Sequence, residues 1–194
     1  MKIWVVGNGQ SRHGVALNQI NSWIIGCNAV HRDYQCNELV AVDQRMVNEI
    51  LLNEQNLNVP VYTRQDWIQS YSDTRVRSLP DLPFTGPNKA DKPLHWNSGP
   101  YAILLASLKH PKEVHLLGFD LWSRTGLVNN LYKGTPNYAT QESRKVSPDF
   151  WIYQLKKIFD YFDQIKFVQH QTTDWETPAP WLGIKNLTFN KNIV

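Results

Sequence analysis

The chain has 194 residues, a formal net charge of +3, and 19% charged against 42% hydrophobic residues. That length fits one domain with a core of ordinary size, and the modest charge excludes an extended, self-repelling coil. No uninterrupted apolar stretch approaches the ~18 residues of a membrane-spanning helix, and +3 spread over the whole chain attracts nucleic acid only weakly.

Cys27 and Cys36 are too few for a disulfide framework and show no metal-ligand spacing. The N-terminus runs straight into Ile3, Trp4, Val5 and Val6 without a leader-like segment, so a reducing cytoplasm is the expected compartment. The run 3–6 reads as a buried strand stopped by Gly7-Asn8-Gly9. Residues 22–26 repeat the pattern and end at Cys27-Asn28, and residues 39–42 repeat it again and end at Asp43. Met46, Val47, Ile50 and Leu51 have helical spacing, and 59–62 is a fourth short strand. Residues 78–96, with Pro80, Pro83, Pro87 and Pro93, read as an ordered loop or lid.

Asn97-Ser98-Gly99 then opens a helix over 100–109 that is apolar almost all round and is therefore buried against a sheet. Residues 113–117 form the next strand, broken at Gly118-Phe119-Asp120. The polar stretch 123–147, with Asn129, Asn130, Asn137, Tyr132 and Tyr138, reads as a second functional loop. A helix from 148 to about 162 and a last strand at 165–168 follow, leaving a tail at 171–194. Short hydrophobic strands alternating with helices predict a Rossmann-like α/β fold: one domain over 1–194, its mostly parallel sheet covered by helices on both faces.

In such a sheet the ligand lies beyond the carboxyl ends of the strands. The residues expected there are Gly7-Asn8-Gly9-Gln10-Ser11, Asn28, Asp43, Gly118 to Asp120, and His170. Glycines let backbone approach a ligand, although any strand–helix junction needs such a turn, and the sequence matches neither the dinucleotide fingerprint nor a P-loop. Asp43 is placed to accept from ribose hydroxyls, and an N-cap of the following helix explains it as well. Ser98 and Gly99 at a helix start offer free N–H groups to an anion, or are simply part of a cap. Cys27 reads as a small buried residue. The histidines show no metal spacing and no D-x-D signature occurs, so nothing here requires a divalent ion.

Taken together, these short motifs resemble the bacterial lipooligosaccharide sialyltransferases, glycosyltransferase family 42. Gly7-Asn8-Gly9-Gln10-Ser11 is similar to their GNGPS turn, Cys27-Asn28 to their second-strand CN, and Asn97-Ser98-Gly99 with the apolar helix and Gly118-Phe119-Asp120 to their TSG-to-GID block. The likeness runs over about residues 1–125. It implies a GT-A-like fold, no metal cofactor, and transfer of a sugar from a CMP-activated donor to a glycan acceptor. The resemblance puts the nucleotide on Asn8, Asn28, Ser98 and Gly99 and Asp120 in the place of the family's GID aspartate; Gly9, Ser11 and Asp43, at the same strand tips, complete the expected nucleotide site. Gln10 stands at the turn proline, Trp122 at the phosphate-binding tyrosine, and residues 144–148 carry no histidine where the family has its catalytic one. Phosphate contacts therefore fall to Tyr132 or Tyr138 and the general base to His170, with Asp120 or Asp149 behind it.

Val40-Ala41-Val42-Asp43 and Gly118-Phe119-Asp120-Leu121 also resemble the MptE-like group, which includes a pterin pyrophosphokinase. That likeness implies magnesium-dependent pyrophosphoryl transfer using Asp43 and Asp120. A nucleotide-binding protein without catalysis is a third reading. The eight tryptophans would suit base stacking, but several fall on core elements and no basic face accompanies them. The sequence leaves a homo-oligomer open.

Overall fold

A computed structural model describes residues 1–123 and 125–191. The strands are β1 (Lys2–Val6), β2 (Trp23–Cys27), β3 (Glu38–Val40), β4 (Val61–Thr63), β5 (Val76–Ser78), β6 (Glu113–Leu117), β7 (Lys166–His170) and β8 (Leu187–Asn190). They form one sheet in the order β5-β4-β3-β2-β1-β6-β7-β8. Every pairing is parallel. The α-helices are α1 (Gln44–Leu52), α2 (Ser98–Ser107) and α3 (Asp149–Tyr161), and 3-10 turns make the other crossovers. Among the described residues, no helix is long and apolar enough to cross a membrane.

The two-residue period of a strand divides the core. Ile3 and Val5 of β1, with Ile25, Val114, Leu116 and Phe167, face the side covered by α2 and α3. Val6, Ile24 and Leu39 face the side covered by α1 and the 3-10 turn Asn28–Arg32. α2 lies between the sheet and α3, and nine of its ten residues are buried, which is why it has no polar face. α1 buries only Met46, Val47 and Ile50 and leaves Leu52 in solvent.

The sequence pattern misses β5 and β8. Both lie at sheet edges and carry polar residues, so their ladder bonds define them more than any apolar stripe does. The tail 171–191 is a structural part of the sheet. β8 pairs with β7, Trp175 and Trp181 are buried, and the Asn186 amide donates to the Phe159, Phe162 and Ile165 carbonyls around the end of α3.

Candidate functional site

The chain builds outward from β1 to β5, then returns through α2 to place β6 on the other side of β1. Parallel strands whose connections diverge leave a crevice at their carboxyl ends, here between β1 and β6. Gly7 N donates to Leu117 O at 2.7 Å and Gly9 N to Gly118 O at 2.9 Å, which ties the two exit turns together. A Cβ on Gly7 would sit 2.6 Å from Gly118 O, and Gly118 itself has φ +76°, so this approach needs glycine on both strands. Buried Arg12 reinforces the turn by donating from Nε to Gly7 O at 2.7 Å.

Beyond these turns opens a cavity of about 440 Å³, within the range of small-molecule sites. Asn8, Gly9, Asn28, Asp43, Ser98, Gly99 and Asp120, expected from separate strand and helix tips, all line it. Ser98 is the hub on the β2–β3 side. Its hydroxyl donates to Asn28 Oδ1 at 2.8 Å and accepts from Val42 N at 3.0 Å. That bond holds Asn28 in a left-handed conformation, φ +50°, which asparagine tolerates better than most residues. Among the described residues nothing accepts from the Asn28 amide nitrogen, so it is available to a ligand.

Asp43 caps α1 and also stands at the cavity: its Oδ1 accepts from Arg45 N at 2.9 Å, and the residue is part of the lining. Cys27 is buried behind Asn28, and burial raises its thiol well above the usual range, so it is inert.

The N-terminus of α2 points at the middle of the cavity. Asn97 provides no side-chain cap, and Pro100 has no N–H to satisfy. The N–H groups of Ser98 and Gly99 have no intrahelical acceptor, and they sit at the positive end of the helix dipole. Gly99 is fitted against Phe119, whose ring would lie 3.0 Å from an added Cβ. A second positive charge is near: Lys145 lines the same cavity on its loop side.

Several expected residues have other duties. The Asp120 carboxylate accepts from Ser11 N at 2.9 Å and from the Ser11 hydroxyl, and its carbonyl accepts from Trp175 Nε1 at 3.0 Å. It braces the β1 turn against the β6 turn, with Ser11 behind it and outside the cavity lining. Tyr138 accepts from Asn8 Nδ2 at 2.8 Å and Ala29 N at 3.3 Å, and Tyr132 donates to Asp33 Oδ2 at 2.6 Å. Neither phenol lines the cavity, so neither is placed for the phosphate contact expected of it. Burial raises both phenols above their ordinary range.

The general base expected at His170 is also corrected. Phe167 faces the α2 and α3 side, so three residues on, His170 faces away from the cavity, and it stacks on Trp4 at 4.6 Å. Its Nε2 lies 2.9 Å from His115 Nδ1, and burial followed by the neighbouring His115 lowers its pKa to about 4. Asp149 is exposed at the start of α3 and is outside the lining as well. Of the two expected lids, none of residues 78–96 lines the cavity; they pack on α3 through Asp91, Tyr153 and Lys157. The 123–147 loop contributes Ser123, Val128, Asn129, Asn130, Lys145 and Val146, and residue 124 lies outside the described residues.

Sequence reasoning passed over Trp122, Trp151, Asn129 and Lys145 as site residues, and all four line the cavity. The asparagine pair was visible in its loop, but nothing local shows that Trp151, on the amphipathic α3, turns to the site. Compared with protein-family models, curated proteins and solved structures, the chain matches none of them.

Proposed function

We propose that the cavity binds the cytidine monophosphate portion of an activated sugar and that the protein transfers the sugar to a glycan acceptor. The observation that carries this reading is the uncapped N-terminus of α2, aimed into a cavity at the point where strand order reverses. Unsatisfied N–H groups at a helix start bind phosphate, and two of them are free here. Asn28 and Asp43 line the cavity at the β2 and β3 tips and Asn8 lines it at the β1 exit, polar groups suited to a base and a ribose.

Transfer is a direct displacement at the anomeric carbon. The acceptor oxygen forms the new bond as the bond to the phosphate oxygen breaks; the electron pair leaves on the phosphate, and the acceptor hydroxyl's proton passes to the departing phosphate. A phosphate monoanion or dianion is a weakly basic leaving group, so its stabilisation by fixed dipoles and by the Lys145 ammonium does the work of a general acid. Buried Asp120 keeps the two glycine turns at the spacing this needs.

Calorimetric titration with CMP, cytidine, UMP and ATP, the last with and without magnesium, tests the reading. CMP is expected to bind more tightly than cytidine, with the gap reduced in Lys145→Ala, and CMP-sugars to release CMP when an acceptor is present. A preference for ATP with magnesium would replace sugar transfer by pyrophosphoryl transfer. Tight CMP binding without turnover of any CMP-sugar would leave only the binding half standing.

A further inference from the structure

The residues that line the cavity fall into two groups: those of the β2 and β3 tips, and those of the β6 exit turn, α3 and the 123–147 loop, which form a second lobe of the wall. The second lobe has an unusual wall. Trp122 and Trp151 both line it, and both are half-buried rather than enclosed in the core. The Trp122 indole lies flat on that of buried Trp175, with ring centroids 5.3 Å apart and planes 8° from parallel. Trp175 does not line the cavity, so it backs one face of Trp122 and the ring surface left over belongs to the cavity wall.

The backbone holds this indole in place at both ends. Trp122 N donates to Asp120 O at 2.8 Å, the same carbonyl that takes Trp175 Nε1, and Asn129 Nδ2 donates to Trp122 O at 2.8 Å. Asn129 is itself anchored, accepting from Gln10 N at 2.9 Å. The turn that presents Trp122 passes through Leu121 at φ +68°, a conformation leucine adopts only where its surroundings impose it. The 123–147 loop, the β1 turn and the tail thus converge on the orientation of one half-buried aromatic ring.

A rigid aromatic plane loses little entropy on binding and offers a broad apolar surface. Polar residues line the same cavity: Ser123, whose hydroxyl also pairs with Thr125 Oγ1 at 3.0 Å, Lys145, and Asn130, whose amide oxygen accepts from Tyr132 N at 2.8 Å and leaves its nitrogen to a ligand. A pyranose ring has the matching form, one face of C–H groups surrounded by hydroxyls that accept and donate.

We infer that this lobe is a saccharide subsite in which Trp122 and Trp151 stack on a pyranose ring and Asn130 and Lys145 hold its hydroxyl groups. The assignment to a transfer reaction rests on the nucleotide-sugar reading, which puts the phosphate at α2 and the nucleoside on the β2–β3 side. The stacking geometry itself does not depend on that reading.

Indole N–H signals of the 15N-labelled full chain, assigned to Trp122 and Trp151 by substitution, would be followed on adding methyl β-D-galactopyranoside, methyl β-D-glucopyranoside, glucitol, cytidine and CMP. The glycosides are expected to shift both signals, and glucitol, which has the hydroxyls but no ring face, to shift neither. Trp151→Ala removes half of the platform. Asn130→Asp keeps the oxygen that Tyr132 N needs and deletes the amide donor, so it serves as the variant that folds normally. Each is expected to weaken glycoside binding about tenfold, or roughly 1.4 kcal/mol, and in Trp151→Ala, which changes no charge, CMP affinity changes by less than about twofold. Glycosides that leave both signals unmoved would overturn the subsite, as would cytidine and CMP shifting both while the variants lose CMP affinity in step. Glycosides that shift both signals in a protein with no affinity for CMP would support the subsite and overturn the nucleotide reading alone.

Discussion

His170 gives the protein a pH dependence that can be worked through from its contacts. His115 Nε2 lies 3.1 Å from Glu113 Oε2, so it donates to the carboxylate and accepts at Nδ1 from His170 Nε2. His170 Nδ1 then faces the Asn190 amide nitrogen at 3.4 Å, an arrangement that needs both rings neutral. Burial lowers both histidines, His170 to about 4, and Lys2 and Lys166, which pair with Glu113, oppose any further positive charge at His115. A depressed histidine contributes stability that is complete above its unfolded pKa of 6.5 and is lost as pH falls toward its folded value. With those two values, protonation of the unfolded chain costs the native state about 2 kcal/mol by about pH 5.

The window from 6.5 to about 5 lies above the carboxylate range. Glu113, held down to about 2 by its contacts with His115 and Lys2, loses stabilising power only below its ordinary 4.5. Urea unfolding of the wild type and of His170→Phe, which keeps a ring on Trp4 but cannot titrate, would be compared at about pH 7.5 and about pH 5. Buried His31, also lowered chiefly by burial, titrates in both proteins and cancels in the comparison. The wild type is expected to lose about 2 kcal/mol more than the variant over this interval. A stability difference between the two proteins that does not change with pH would refute the argument.

Ser98→Ala leaves Val42 N without its acceptor and frees Asn28, so chemical denaturation should show a loss of about 1–3 kcal/mol and calorimetry a fall of about tenfold in CMP affinity. In Gly9→Ala the new Cβ would lie 2.5 Å from Asp120 Cγ and 2.7 Å from Gly118 O; overpacking of about 1–3 kcal/mol should appear in urea unfolding, with CMP binding abolished. Tyr138→Phe deletes the acceptor of Asn8 Nδ2 and Ala29 N, so the 123–147 loop should be cut faster by a protease under native conditions, with about 1 kcal/mol lost overall. An unchanged cleavage rate would show that Asn8 does not anchor the loop.

The parallel sheet and its ligand edge were legible because parallel strands buried on both faces need short, nearly uniform apolar runs, and each run here stops at small or polar residues. The residues 3–6, 22–26 and 113–117 lie within one residue of β1, β2 and β6, and the apolar 100–109 segment is α2 shifted by two residues. Asn8, Asn28, Ser98 and Asp120 converge because parallel strands all end at the same edge. The edge strands β5 and β8 were not legible, since a sheet margin draws on its neighbour's hydrogen bonds rather than on its own apolar pattern.

Side-chain direction and loop path belonged to the tertiary structure. His170 and Gln169 are adjacent, yet Gln169 donates to Phe119 O beside the cavity while His170 lies on the opposite face. The strand's two-residue alternation settles which is which only once α2 and α3 have shown which face holds the site. Tyr132 and Tyr138 follow the same logic, since their phenols are taken by Asp33 and Asn8, partners more than ninety residues away. A sequence records which groups a chain carries and the local backbone they favour; which of them remain free for a ligand depends on distant groups that reach them first.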